Sequence, residues 1–436
     1  MKKNSILAPG AALVTAAAVL AVASGGAAHP SHKNKTAALP TLKIGTVLPF
    51  TGVVAESARE MQKTFGMYLS QHGGKLGGLP VKVIYEDSET KPELDVTKTK
   101  KLIEQDKVDL LASAMLAFEG LAVVDTIAKA KIALVGLTGV TADEYRKIRS
   151  PYLSAAAKHT PSQETFPLGT WAAKDRHYKT AAMVCQDYTW GWETCGGFHY
   201  AFDQAGGKVV QVIWVPIGTT DYSPFVTQLK RNVDVVYTTL IGADVPRFVK
   251  AYSDFGYMGK IPLLGSEDII AADAYRYYDS KAAGIIGITP FTTALNRPEM
   301  KKYVAAYRAL TGKDPTFWGE ATYVAAMIID RTIQKLEAQG IPKAQIPDYV
   351  RHHAKKFIKT IRTINLSDTP SSPVTVDNYN FAIRNFYLVE LVKKPDGKIG
   401  EKLIKTFTHV SQFWTFSPAQ LAKLPTFSRS FPKVSS

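Results

Sequence analysis

From residue 42 onward the chain alternates short apolar runs with amphipathic stretches, and few architectures accept that order. "LKIGTVLPF" (42–50) reads as a buried strand ending at Pro49. "AESAREMQKTFGMYLSQHGG" (55–74) has helical spacing, with Met61, Phe65 and Tyr68 or Leu69 on one face before a glycine pair. "LPVKVIYED" (79–87) alternates as a strand does, "KPELDVTKTKKLIEQDK" (91–107) is a second amphipathic helix, and "VDLLASA" (108–114) is a third strand. Helix "GLAVVDTIAKAK" and strand "IALVGLT" extend the series. The period resumes after residue 158, where "KTAAMVC", "KVVQVIWVP", "VDVVYTTL" and "IPLLGS" are each preceded by a helical stretch. Strands separated by such helices build βαβ units and parallel sheets. Two consecutive runs predict an α/β protein with two doubly wound lobes. A single (β/α)₈ barrel is the competing arrangement, disfavoured because the strand count exceeds eight.

The chain is 436 residues long, enough for two domains with separate cores. Its first 28 residues read as a secretory signal peptide: Lys2 and Lys3, a short apolar stretch, then small residues with cleavage options after Ala23 or Ala28. Residues 29–41 read as a polar linker. The apolar run is broken by Pro9 and Gly10 and is short for a bilayer span, with an uncleaved anchor as the alternative. Export to the periplasm or cell exterior is therefore expected. In such a compartment Cys185 and Cys195, ten residues apart, read as a disulfide pinning one loop, against the alternative of two free thiols. With no clustered histidine they make a poor zinc site, and no metal or cofactor is expected.

The formal charge is +15, or about +13 without the two leader lysines. The basic residues are scattered, as in "KTKK", "RHYK" and "HHAKK", with no aromatic-basic stripe, so no nucleic-acid partner is expected. No G-x-G-x-x-G, Walker, H-E-x-x-H or G-x-S-x-G motif occurs, and nothing asks for catalysis. His352 and His353 read as a solvated helical face.

Open parallel sheets bind ligands outside the carboxyl ends of their strands. The segments to inspect are therefore Pro49–Ser57, Ala114–Glu119, Leu137–Thr141, Gln186–Trp192, Leu240–Asp244 and Ser266–Asp268. Thr141 precedes a helix start and reads equally as an N-cap or an anion contact. Trp190 and Trp192 flank Gly191 and either stack on a ligand or cover a hinge. "LLGSEDII" (263–270) empties a buried strand into Glu267 and Asp268, a surface turn or a counter-charge for a cation.

Taken in order, "IGTVLPFTG", "AKAKIALVGLTGVTADEY", "YTWGWE", "TTDYSPFVTQLK", "LLGSED" and the segment from "EMKKYVAAYRALTGKDPTFWGE" to "IQKL" resemble the solute-binding proteins of ABC importers. The group resembled is that of the Leu/Ile/Val-binding protein, over about residues 42–410. The resemblance implies the type I periplasmic binding fold: two lobes, 42–157 plus 286–368 and 158–285 plus 369–436, joined by three hinge crossovers. It implies a monomer that traps a small ligand in the cleft and hands it to the transmembrane subunits of an ABC permease, with a sensor module as the alternative role. Carried over residue by residue, it implies that Glu267 holds a ligand ammonium, that Thr141 and the Val140 backbone hold a carboxylate, and that Trp190 lines the pocket. Ser57, Ala117 and Leu240 complete the expected ligand set. The loop "SAMLAFEG" departs from the family's serines there, which points to a more apolar pocket and an aromatic, amide or amino-acid ligand. Glu267 beside such a wall needs a cation or donor, from the ligand or from the protein itself.

Overall fold

A computed structural model describes residues 38–138 and 149–434, so the leader, most of the linker, Val140 and Thr141 lie outside the described residues. From Leu39 on, these pack as one compact unit. The first sheet contains β1 (Leu42–Leu48), β2 (Lys75–Leu76), β3 (Leu79–Asp87), β4 (Leu110–Ser113), β5 (Leu134–Gly136) and β6 (Leu153–Ser154), in the order β2-β3-β1-β4-β5-β6. All pairs except the short β2–β3 hairpin are parallel. β1 and β4 are mostly apolar and almost entirely buried because both of their faces are covered.

The second sheet contains β7 (Thr180–Gln186), β8 (Lys208–Val215), β9 (Val235–Thr239), β10 (Leu263–Gly265), β11 (Ile286–Thr289), β12 (Thr375–Val376), β13 (Ala382–Lys393) and β14 (Ile399–Val410). Its order is β12-β13-β11-β10-β9-β7-β8, with β14 on β13. β11 pairs with β10 and β13, so the second crossover begins after Thr289, and the lobe boundary expected at residue 286 moves there. Within the parallel-strand fold this sheet has an antiparallel margin: β13 runs antiparallel to β11, β12 and β14, and a hairpin turn joins β13 to β14.

The chain crosses between the sheets near 155–160, 290–297 and 362–374. After the second crossover the 22-residue helix Phe317–Ala338, N-capped by Thr316, packs on helix Ala55–Gln71 beside the first sheet. Among the described residues no helix is long and apolar enough to cross a membrane.

Candidate functional site

Strand order changes direction between β1 and β4 in one sheet and between β7 and β9 in the other. At such points the loops leaving the carboxyl ends diverge and open a crevice. Here the crevices of the two sheets face each other. Met115, Leu116 and Ala117 follow β4, Thr138 follows β5, Tyr188 and Trp190 follow β7, and Glu267 follows β10. Lys158 comes from the first crossover and Trp318 from the start of the long helix. They enclose a cavity of about 10 Å³, on the order of one water. A cavity of this size has no room for an organic molecule.

Buried polar contacts hold the wall from the first sheet. The N–H groups of Met115 and Leu116 donate to the Glu119 carboxylate at 2.8 and 2.9 Å, and Ser88 Oγ donates to it at 2.9 Å. Thr138 Oγ1 donates to the Met115 carbonyl at 2.6 Å. Burial lifts the Glu119 carboxyl to about 7, with those donors pulling the other way. Ala114, at the end of β4, has φ +68°, a left-handed conformation that turns the loop into the cleft.

On the second sheet, Gly191 lets helix Thr189–Gln204 start close against β7: a Cβ there would lie 1.9 Å from the Gln186 carbonyl oxygen. That turn stacks Trp190 on Tyr188 at 5.8 Å, and Phe118 from the opposite wall meets Tyr188 edge-on at 6.2 Å. Cys185 and Cys195 are joined by a disulfide, Cα to Cα 6.3 Å, which ties β7 to this helix. Trp192 turns away and donates to Asp187 at 3.0 Å.

The charges lie at the base of the cavity. Lys158 and Glu267 form an ion pair whose side chains are 7% and 2% exposed. The ammonium also sits 4.5 Å from the centre of the Phe317 ring and 5.8 Å from that of Trp318. Glu267 N donates to Glu164 at 2.7 Å. His159 Nε2 lies 3.0 Å from Glu164 and 3.7 Å from Glu267. Desolvation, reinforced by Lys158 and Arg384, holds the imidazole well below its ordinary value, so it is neutral. Arg384, fully buried, is engaged by Glu320 through two 2.9 Å contacts.

His159, Glu164 and Glu267 also bring ligand-type atoms within 4.8 Å of one another, the spacing of a metal site. The surroundings fit a proton-sharing network better. Lys158 already occupies one Glu267 oxygen, and His159 Nδ1 has no acceptor among the described residues. A metal on Nε2 would require an Nδ1–H, and such groups are normally held by an acceptor.

Of the expected ligand residues, Ala117, Trp190 and Glu267 meet on the cavity wall. Leu240 is buried in the core behind it. Ser57 instead donates to Asp273 at 3.2 Å, on the wall of a second cavity of about 620 Å³ between Val53 and Gly242. That larger cavity shares no lining residue with the first. Its charged side chains are engaged by protein groups, Lys250 with Asp254 on the wall and Glu56 with Arg276 beside it, so size alone does not make it the site. Of the two sources of a cation for Glu267 that the sequence leaves open, ligand or protein, the structure places a protein one, Lys158, beside it. Lys158 and Trp318 escaped the sequence reading, Tyr188 lay in the segment Gln186–Trp192 without being singled out, and Lys158 had no signal beyond a lone cation in the small-residue run "SAAAKHT".

Residues 41–398 match the family described as periplasmic binding protein. A Leu/Ile/Val-binding protein homolog of Brucella melitensis is 27% identical over 376 residues, covering 84% of this chain and 91% of that one. A solute-binding protein of an ABC transporter from Rhodopseudomonas palustris, solved with 4-hydroxybenzoate, is 27% identical, with TM-score 0.76 over 86% of this chain and 99% of that one. One from R. palustris HaA2, solved with p-hydroxybenzoic acid, is 25% identical, with the same TM-score and coverage.

Proposed function

The chain belongs to the periplasmic binding protein family, and from that premise we propose that it captures a small aromatic carboxylate between its lobes and passes it to an ABC permease. The observation that carries this reading is the Lys158–Glu267 pair. Glu267 is already neutralised, so the cleft does not call for a ligand ammonium. Lys158 is a desolvated cation whose charge a ligand carboxylate can share. The ring of such a ligand packs against Trp190, Tyr188, Trp318 and Met115, which line one part of the cavity wall. The 4-hydroxybenzoate bound by the two Rhodopseudomonas proteins agrees with this chemistry.

An amino acid is the second reading, favoured by the Leu/Ile/Val-binding homolog. It fits less well. Its ammonium competes with Lys158 for Glu267, the Thr138 hydroxyl is committed to Met115, and Met115–Ala117 bring no side-chain donor. Capture works by population shift: a ligand that touches both walls only when they close stabilises the closed state. This is reversible binding outside the cytoplasmic membrane, without turnover.

The test is native mass spectrometry of protein purified without denaturation from its own host, with the released molecule identified. An aromatic acid supports the proposal. A branched-chain amino acid contradicts it.

A further inference from the structure

The base of the cleft carries more acid than base. Glu164, Glu267 and Asp268 are 0, 2 and 3% exposed, and Lys158 makes the one direct cationic contact to them among the described residues. Glu267 Oε2 and Asp268 Oδ2 have no hydrogen-bond partner among the described residues. Two unpartnered carboxylate oxygens in a buried site are costly as anions and less so as O–H groups. The His159 ring, lacking an acceptor at Nδ1, presents its Nε2–H to Glu164 and adds no charge.

We propose that this cluster is a proton-binding site linked to the ligand site: when a ligand carboxylate shares Lys158 with Glu267, the cluster takes up a proton from solvent. The inference rests on the carboxylate reading of the cleft. The balance is simple. One anion enters, one proton follows and forms an O–H bond on a carboxyl of the cluster, and the net charge of the buried site is unchanged.

The groups facing the cluster come from every element around it. They are Lys158 and His159 from the crossover, Glu164 from helix Pro161–Lys174, Tyr188 after β7 and Tyr237 on β9. Asp273 and Tyr278 follow β10, and Arg384 and Glu320 form the neighbouring pair. Burial first, then the charge on Glu267, pushes Glu164 and Asp268 well above the carboxylate range. Burial raises Glu267 too, and Lys158 is the main restraint on it. Drawing Lys158 toward a ligand weakens that restraint.

The test is calorimetric titration of the full chain with 4-hydroxybenzoate at pH 7 in phosphate and in Tris, whose ionisation enthalpies differ. The expected result is uptake of about 0.5 to 1 proton per ligand, with affinity rising toward about tenfold per pH unit as pH falls. E267Q lowers the uptake at least twofold, and D268N, off the cavity wall, is the second variant expected to lower it. Binding with no uptake overturns this inference and leaves the ligand reading intact. Absence of binding overturns both. One equivalent of a divalent metal in the purified protein, removed by EDTA together with the ligand response, makes the cluster a metal site and also overturns it.

Discussion

The Lys158 ammonium and the Glu267 carboxylate, contributed by the first crossover and by the loop after β10, meet as a buried ion pair at the base of the interlobe cavity. The pair decides how the site treats charge. A lone Glu267 would require a cationic ligand, whereas the pair leaves one desolvated cation to be shared. Removing one member of a buried pair strands the other.

K158M is predicted to weaken 4-hydroxybenzoate binding about 10- to 100-fold, the range for a lost charged hydrogen bond. It should also destabilise the protein by about 3 kcal/mol through the orphaned Glu267. K158M/E267Q should regain much of that stability and none of the affinity. Denaturant melts and calorimetry on both variants check this. Full affinity in the double variant would remove Lys158 from the site.

Glu119 is predicted to act by holding the loop after β4, through the Met115 and Leu116 N–H groups. E119A leaves those buried donors unpaired, at a cost of about 1–3 kcal/mol in stability. E119Q, which keeps an acceptor, should recover most of it. Ligand affinity should fall several-fold in E119A and largely return in E119Q. Equal affinity in all three proteins would show that the loop needs no such anchor.

The disulfide between Cys185 and Cys195 closes a loop of sequence separation 10 and ties β7 to the helix that carries Trp190. C185S/C195S is predicted to lose about 2–3 kcal/mol of stability by the loop-entropy relation. A urea titration of the two proteins checks it. A difference below about 0.5 kcal/mol would mean the surrounding packing already fixes this turn.

Glu60 predicts a pH dependence. It accepts hydrogen bonds from Thr316 N at 2.7 Å and Thr316 Oγ1 at 3.0 Å, and burial, then Asp273, raises its carboxyl to about 8. The folded state therefore holds a proton that the unfolded chain releases near its ordinary value. The stability this group contributes is full below about 4.5 and is lost as pH rises toward 8. E60Q removes the titration, so it should outlast the wild type at pH 8.5 by on the order of 3 kcal/mol, with the gap closing by pH 5. Parallel melting profiles across that range would contradict it.

Much of the fold was legible because the strands at the sheet centres are buried on both faces and must read as apolar runs, as in "KTAAMVC" for β7. β13 and β14 were not read, although "KKPDGK" between two β-rich runs is a hairpin signal. Their one-sided exposure dilutes the apolar pattern, and "IGEKLIKTFTHV" alternates instead of running. Within the site, Ala117, Trp190 and Glu267 were accessible because strand ends are where such sheets bind. Lys158 was not, since it leaves a crossover and not a strand end. Its burial is set by Glu267, which lies 109 residues away in sequence.

The most direct measurement is a pair of calorimetric titrations on the purified protein, one with 4-hydroxybenzoate and one with L-leucine. The account predicts a Kd of about 1 µM or tighter for the aromatic acid and binding at least about 100-fold weaker for leucine, a gap of about 2.7 kcal/mol. Leucine binding as tightly as 4-hydroxybenzoate, or more tightly, would contradict it, because its ammonium would then have displaced Lys158 from Glu267.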